Sequence, residues 1–240
     1  MPFYFYGFDP TYLYIVLPCI LLSLWASSNV NSTFRRYSQH HSIRRITGAQ
    51  AAQRVLSANG VSGVKIERVS GNLTDHYDPK TNVIRLSDSV YDSTSVASIG
   101  VACHEAGHAV QYAQSYAPIK LRAAIIPVTN FGSKLAMPLI LLGILLSAFA
   151  DMSYTLVYVG IACFGLSLLF QLITLPVEFN ASRRAMTAIE ECNLLTEEEQ
   201  RGAKKTLKAA AMTYVAATAV ALAQLLRLIL LFGGRRRRND

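Results

Sequence analysis

Two stretches of this 240-residue chain have little freedom in what they become: residues 135–150, LAMPLILLGILLSAFA, and residues 152–177, MSYTLVYVGIACFGLSLLFQLITLPV, carry no charged side chain. Uncharged apolar runs of about this length match the hydrocarbon thickness of a bilayer when helical, and a helix is one of the few structures that pairs every backbone group there. Only Asp151 separates the two runs, so they read as a helical hairpin with a very short turn. Residues 12–26, YLYIVLPCILLSLWA, are uncharged as well, and with FYFYG ahead of them suffice for one span. They lack a basic N-terminal flank and an A-x-A-like cleavage site, so they read as an uncleaved anchor rather than a signal peptide. A fourth apolar run, 209–232, contains Arg227 and is the least clearly marked. With 52% hydrophobic and 16% charged residues, the composition is that of an integral membrane protein.

Basic loops stay on the cytoplasmic side. Residues 27–134 hold 12 Lys and Arg, residues 177–208 hold 6, and residues 1–10 hold none. Both polar segments are therefore expected in the cytoplasm, with the N-terminus outside, in the plasma (inner) membrane. The tail resists this scheme: a full span at 209–232 puts Arg235–Arg238 outside, so the run re-enters, packs on the protein or overrides the rule. Cys19, Cys103, Cys163 and Cys192 show no CxxC spacing and read as small buried residues.

The chain thus divides into an anchor (1–26), a polar domain (27–134), a hairpin (135–177), a helical segment (178–208) and an apolar helix with a basic tail (209–240). Within the polar domain, TGAQAAQRVLSAN reads as a helix capped by Thr47 and ending at Gly60. VSGVKIERVSG and NVIRLSDSVY read as strands separated by the turn-rich LTDHYDPKT. Asp92, Ser93 or Thr94 is expected to cap a helix running to about Ser115.

That helix contains His104-Glu105-Ala106-Gly107-His108, an HExxH motif. With 5 His and 8 Glu in the chain, a chance occurrence is expected about 0.003 times per sequence of this composition. Residues four apart share a helical face, so His104 and His108 can point at one metal ion while Glu105 projects toward an activated water. Ala106 and Gly107 leave room for a close neighbour or substrate. The strand NVIRLSDSVY directly precedes the helix, and an edge strand in that position can hold an extended peptide by main-chain hydrogen bonds.

A catalytic zinc takes three protein ligands and an open position. His76, Glu178, Glu190, Glu191 and Glu197–Glu199 are the candidates for the third. TEEEQ reads as helix capping and solvated surface. Glu178 follows an uncharged span and begins an Ala-rich helical segment, so it needs a partner, either the metal or Arg183 or Arg184.

HEAGH followed by an uncharged hairpin and EFNAS resembles the HtpX-type and CAAX prenyl protease membrane zincins. TGAQAAQRVLSANGV, LTDHYDP, IRLSDSVY, ACHEAGHAVQYAQSYAPIKLR and PVEFNASRRA, in that order, resemble YugP-type membrane zinc metallopeptidases more closely. The resemblance covers residues 46–232. It implies a helical membrane protein with a small α+β zincin-like cytoplasmic domain, one zinc per chain held by His104, His108 and Glu178, and Glu105 as general base. It implies an endopeptidase acting on membrane or membrane-proximal proteins. Where HtpX-type enzymes carry an acid four positions after the ligand Glu, this chain has Ser182, so Asn180 or Ser182 is expected to orient a histidine. His76 and Tyr77 are candidates for stabilising the oxyanion.

The rival reading is a non-enzymatic membrane scaffold with a structural metal at HEAGH. Against a transport path, the expected spans contain no charge before Arg227. The +8 net charge is spread in the manner of topology signals without interleaved aromatics, which argues against nucleic acid. Expected partners are protein or peptide substrates and membrane lipids, with oligomers or a regulatory membrane partner unassigned.

Overall fold

The structure is a computed structural model and describes residues 9–146 and 153–233. Residues 1–8, Asp151 with its turn, and Arg235–Arg238 lie outside the described residues. Among the described residues, six α-helices and three strands follow in the order α1 (Leu17–Ser38), α2 (Gly48–Ala58), β1 (Lys65–Val69), β2 (His76–Asp78), β3 (Val83–Ser87), α3 (Val96–Ala113), α4 (Ala117–Leu146), α5 (Ser153–Glu191) and α6 (Glu197–Phe232). A π-helical turn, Tyr12–Val16, leads into α1. Among the described residues, four helices are long and apolar enough to cross a membrane: Tyr12–Ser38, Ala117–Leu146, Tyr154–Glu191 and Glu197–Phe232.

The chain forms two compact units. One comprises Met1–Trp25, Leu121–Thr174 and Tyr214–Asp240. Its helices leave Leu21, Trp25, Phe131, Leu141, Leu172 and Leu230 exposed, which suits lipid rather than water. The helices of the hairpin approach closely through glycine: a methyl on Gly160 would meet the Ala136 carbonyl oxygen at 2.8 Å, the close backbone approach that small residues permit between membrane helices. In the same unit Arg227 Nε donates to Asp9 at 2.6 Å and its guanidinium lies over Tyr12. The fourth apolar run is no re-entrant loop, because α6 is unbroken from Glu197 to Phe232.

The second unit, Ala26–Lys120 and Leu175–Thr213, gathers the two polar segments. α2 begins at the Thr47 cap in a capping box with Gln50, and its Ala51, Ala52, Val55 and Leu56 face a core shared with Ile84, Leu86, Val90 and Ile99. The sheet has the order β1-β3-β2, with β1 parallel and β2 antiparallel to β3. β3 is therefore the central strand, not the edge strand the sequence suggests, because HYD in the supposed turn pairs along its open side. Asp78 makes that turn, accepting from the Lys80 N–H at 2.9 Å, the Thr81 hydroxyl at 2.8 Å and Arg85 at 3.1 Å. These bonds hold its carboxyl down at about 2.

α3 starts one residue later than expected, with Ser95 rather than Asp92, Ser93 or Thr94 as its cap. The Ser95 hydroxyl accepts from the Ser98 N–H, and Ser93 supports Ser95 instead of capping. Helix boundaries elsewhere cross the expected segments. The apolar helices run past the expected spans into charged sequence, with Arg35 and Arg36 on α1, Lys120, Arg122 and Lys134 on α4 from its start at Ala117, Glu178 on α5 and Glu197–Glu199 on α6, while the runs read as spans ahead of Arg227 stay uncharged. Glu178 starts no new helix; α5 runs continuously through it to Glu191, with Pro176 inside. Residues 178–208 are not one helix either, since the chain turns after Glu191 and α6 opens at Thr196, where Glu199 and Thr196 bond reciprocally.

Candidate active site

α3 is apolar on almost every side. Gly100 lies against Ala203, Gly107 lies against Ala181, and Ala102, Cys103, Ala106 and Ala109 are buried. Such a helix has no water to satisfy polar side chains, so each one it carries needs a protein partner or a ligand. His104 and His108 stand on one face, their rings 4.7 Å apart and nearly perpendicular. The Nε2 of His104 is 3.3 Å, and that of His108 3.5 Å, from the same Glu178 oxygen, Oε2. Glu178 comes from α5 and is 2% exposed.

These are donor atoms converging on one point; among the described residues, His104, His108 and Glu178 are the group able to hold a metal ion, with ligand atoms within 4.8 Å of one another. The spacing fits zinc. Bonds of about 2.0–2.2 Å arranged tetrahedrally place neighbouring ligand atoms about 3.3–3.6 Å apart, and two edges of the triangle have that length. Two imidazoles and one carboxylate are also a donor set of a hydrolytic zinc site.

Behind the donors, His104 Nδ1 meets the Ser182 hydroxyl at 3.1 Å, the serine that replaces the acid of HtpX-type sequences. His108 Nδ1 meets Gln111 Oε1 at 3.0 Å. Gln111, wholly buried, donates through Nε2 to the Val177 carbonyl and to Asn180 Oδ1, both at 2.9 Å. Arg184 donates to Asn180 at 2.8 Å and to Gln114 at 2.6 Å, so its guanidinium serves Asn180 rather than acting as the Glu178 partner weighed from the sequence. Burial works against a charged His108, but the Glu178 carboxylate, Glu105 and Gln111 outweigh it and hold the imidazole above its ordinary range.

Glu105 is buried beside the donors. Its neighbour Asp75 accepts from the Ser87 N–H at 2.7 Å and from the Ser87 hydroxyl at 2.9 Å. Burial nevertheless lifts the Asp75 carboxyl above the usual range, with the Glu105 charge adding to the effect. Cys103, one residue before the motif, is fully buried and its thiol is pushed up, which leaves it inert as a nucleophile or ligand.

The DHYDP residues are placed differently from the donors. The exposed His76 bonds through Nδ1 to the Thr74 carbonyl at 2.9 Å and is not in the donor group. Tyr77 packs its ring on Tyr112 of α3, 5.6 Å between centroids, and gives its hydroxyl hydrogen to Asn82 at 2.7 Å. Glu190 and Glu191 end α5, and Glu197–Glu199 form the first turn of α6. Gln111 was not singled out from the sequence, and Arg184 was weighed there only as a partner for Glu178. Gln111 was findable, as an amide three residues beyond the second HExxH histidine on a helix otherwise almost devoid of polar side chains.

A helical membrane protein whose HExxH histidines are met by a glutamate from another helix has the build of a membrane metallopeptidase. The chain belongs to the family described as "Putative neutral zinc metallopeptidase", whose family model matches residues 12–233. It is 44% identical over 228 residues to the "Putative membrane protease YugP" of Bacillus subtilis (strain 168), covering 95% of this chain and 99% of that one. The chain matches no solved structure.

Proposed function

We propose that the protein is a membrane-embedded zinc endopeptidase that hydrolyses peptide bonds of membrane or membrane-proximal proteins, with His104, His108 and Glu178 holding the metal and Glu105 as general base. The observation that carries the reading is the meeting of both HExxH histidines with one buried Glu178 oxygen at 3.3 and 3.5 Å. Zinc, when bound there, supplies Lewis acidity to the scissile carbonyl. Glu105 takes the proton of the attacking water and passes it to the leaving amine. Ser182 and Gln111 hold the two imidazoles from behind.

The substrate chain is assigned to the outer edge of β2. That strand ends the sheet and lies along α3, with Asp75 beside Glu105 just before it and its central Tyr77 on Tyr112. Its unpaired main-chain groups suit an added extended strand. The Tyr77 hydroxyl, engaged by Asn82, is not assigned to the oxyanion.

The cytoplasmic placement of the site is part of the proposal, supported by the charge count and by the folding of both polar segments into one unit. Placement in the plasma (inner) membrane is proposed with it.

Elemental analysis of detergent-purified protein tests the site: about one zinc per chain is expected in the parent, and a loss in His104→Ala and Glu178→Ala. Glu105→Gln is then expected to keep zinc and abolish cleavage of an unfolded protein substrate. Undiminished zinc in Glu178→Ala would move the third ligand elsewhere, and an intact cellular function in Glu105→Gln would favour a scaffold with a structural metal.

A further inference from the structure

We propose that Gln111 is a positioning residue for metal binding, acting by fixing which nitrogen of His108 is left open; this rests on the zinc reading above. A carboxamide ordinarily leaves its oxygen and nitrogen interchangeable, and a neutral imidazole leaves its tautomer open. Here neighbouring groups remove both freedoms. Arg184 is a donor without acceptor capacity, so the Asn180 atom 2.8 Å from its Nε is the oxygen. That oxygen and the Val177 carbonyl each lie 2.9 Å from one end of Gln111. Two acceptors demand a donor, so that end is the NH2 group.

The opposite end of Gln111 is therefore its oxygen, 3.0 Å from His108 Nδ1. An oxygen with no hydrogen to give can bond only a protonated Nδ1. The neutral imidazole then keeps its lone pair on Nε2, the atom that faces Glu178 at 3.5 Å. Gln111 is wholly buried, so no water competes for these bonds. His104 has no equivalent: the Ser182 hydroxyl at 3.1 Å rotates and can donate or accept. His108 is thus the pre-set donor of the pair, held in register by a chain that starts at Arg184.

Two substitutions separate this role from simple cross-linking of α3 to α5. Gln111→Met fills the space but offers His108 Nδ1 no acceptor, and zinc affinity, read by competition with a chromophoric chelator, is expected to fall about 10- to 100-fold. Gln111→Glu still presents an oxygen to Nδ1 while giving up the NH2 donors, so affinity is expected to stay within about threefold of the parent even as the melting temperature drops. If Gln111 matters only as a tie to Val177 and Asn180, both variants lose that tie and their affinities fall together, which overturns the proposal, as does a Gln111→Met protein that binds zinc like the parent.

A second measurement needs neither variant nor metal. Nitrogen-15 shifts of labelled histidine in the metal-free parent, above the imidazole titration range, are expected to show His108 as the Nδ1–H tautomer; the Nε2–H form would sink the idea. Should the parent and His104→Ala both bind no zinc, the peptidase reading falls, and the nitrogen shifts still decide the tautomer.

Discussion

Gly107 of α3 lies against Ala181 of α5 beside the donor site, and Gly107→Ala measures how tightly that contact is set. A methyl at this position would sit 2.8 Å from the Ala181 carbonyl oxygen and 3.4 Å from its Cα. Carbon and carbonyl oxygen ordinarily stand about 3.3–3.6 Å apart, so the helices must part by roughly half an ångström. Overpacking of this kind costs about 1–3 kcal/mol, against a gain of about 1 kcal/mol for alanine over glycine within a helix. Gly100→Ala is the control on the same helix: its methyl would meet the Ala203 side chain at 3.4 Å, an ordinary contact, so it collects the gain without the clash. The difference between the two variants is the overpacking term itself, about 1–3 kcal/mol. At about 2–4 °C per kcal/mol for a chain of this size, metal-free Gly107→Ala is expected to melt about 2–12 °C below Gly100→Ala in the same detergent. Ala181 lies on α5 between Glu178 and Ser182, so parting the helices also lengthens the 3.3 and 3.5 Å approaches of Glu178 to the histidines. Zinc affinity of Gly107→Ala is expected to fall at least about tenfold, with Gly100→Ala unchanged. Equal melting and equal zinc affinity in the two variants would refute the reasoning.

Tyr77→Phe loses the bond to Asn82 and leaves the ring on Tyr112; turnover is expected to hold while stability falls by about 0.5–1.5 kcal/mol, and a collapse in turnover with unchanged melting would return the hydroxyl to catalysis. Asp78, with its carboxyl lowered from 3.8 to about 2, stabilises the folded state above the ordinary value and loses that contribution as pH falls through the lowered one. The melting gap between metal-free parent and Asp78→Asn is therefore expected to be widest above pH 4 and to close toward pH 2; a gap that widens on acidification would contradict the turn bonds. Removing one partner of the Asp9–Arg227 pair strands a charge, so Asp9→Leu and Arg227→Leu are each expected to lower detergent stability more than the double variant does. Additive losses would mean the two residues act independently.

What could be read before folding was what neighbours in sequence determine. The uncharged hairpin runs, the Thr47 cap three residues before Gln50, and the i, i+4 histidines of HEAGH all express themselves within a few residues. The partnership of His104 with Glu178 spans 74 positions, and from the residues alone Glu178 was divided between a metal and an arginine until the family resemblance settled the expectation. Ser182 and Asn180 were singled out on that same ground. The first touches His104, and the second touches no histidine but orients Gln111. The supposed edge strand β3 turned out central because its pairing with His76–Asp78 depends on a turn whose residues, Asp78 above all, read more strongly as loop than as strand. Helix ends misled for a related reason: hydropathy marks where an apolar stretch stops, while backbone hydrogen bonding continues through Glu178 and back to Ala117.

The continuity of α5 makes Glu178 part of the same rod as a membrane span. A helix advances about 1.5 Å and turns about 100° per residue, and a hydrophobic helix meets a thinner or thicker bilayer by changing its tilt. α3 is tied to that rod through Gln111, Ser182 and the contact of Gly107 with Ala181, so the two histidines and Glu178 are held to one another rather than to separate elements.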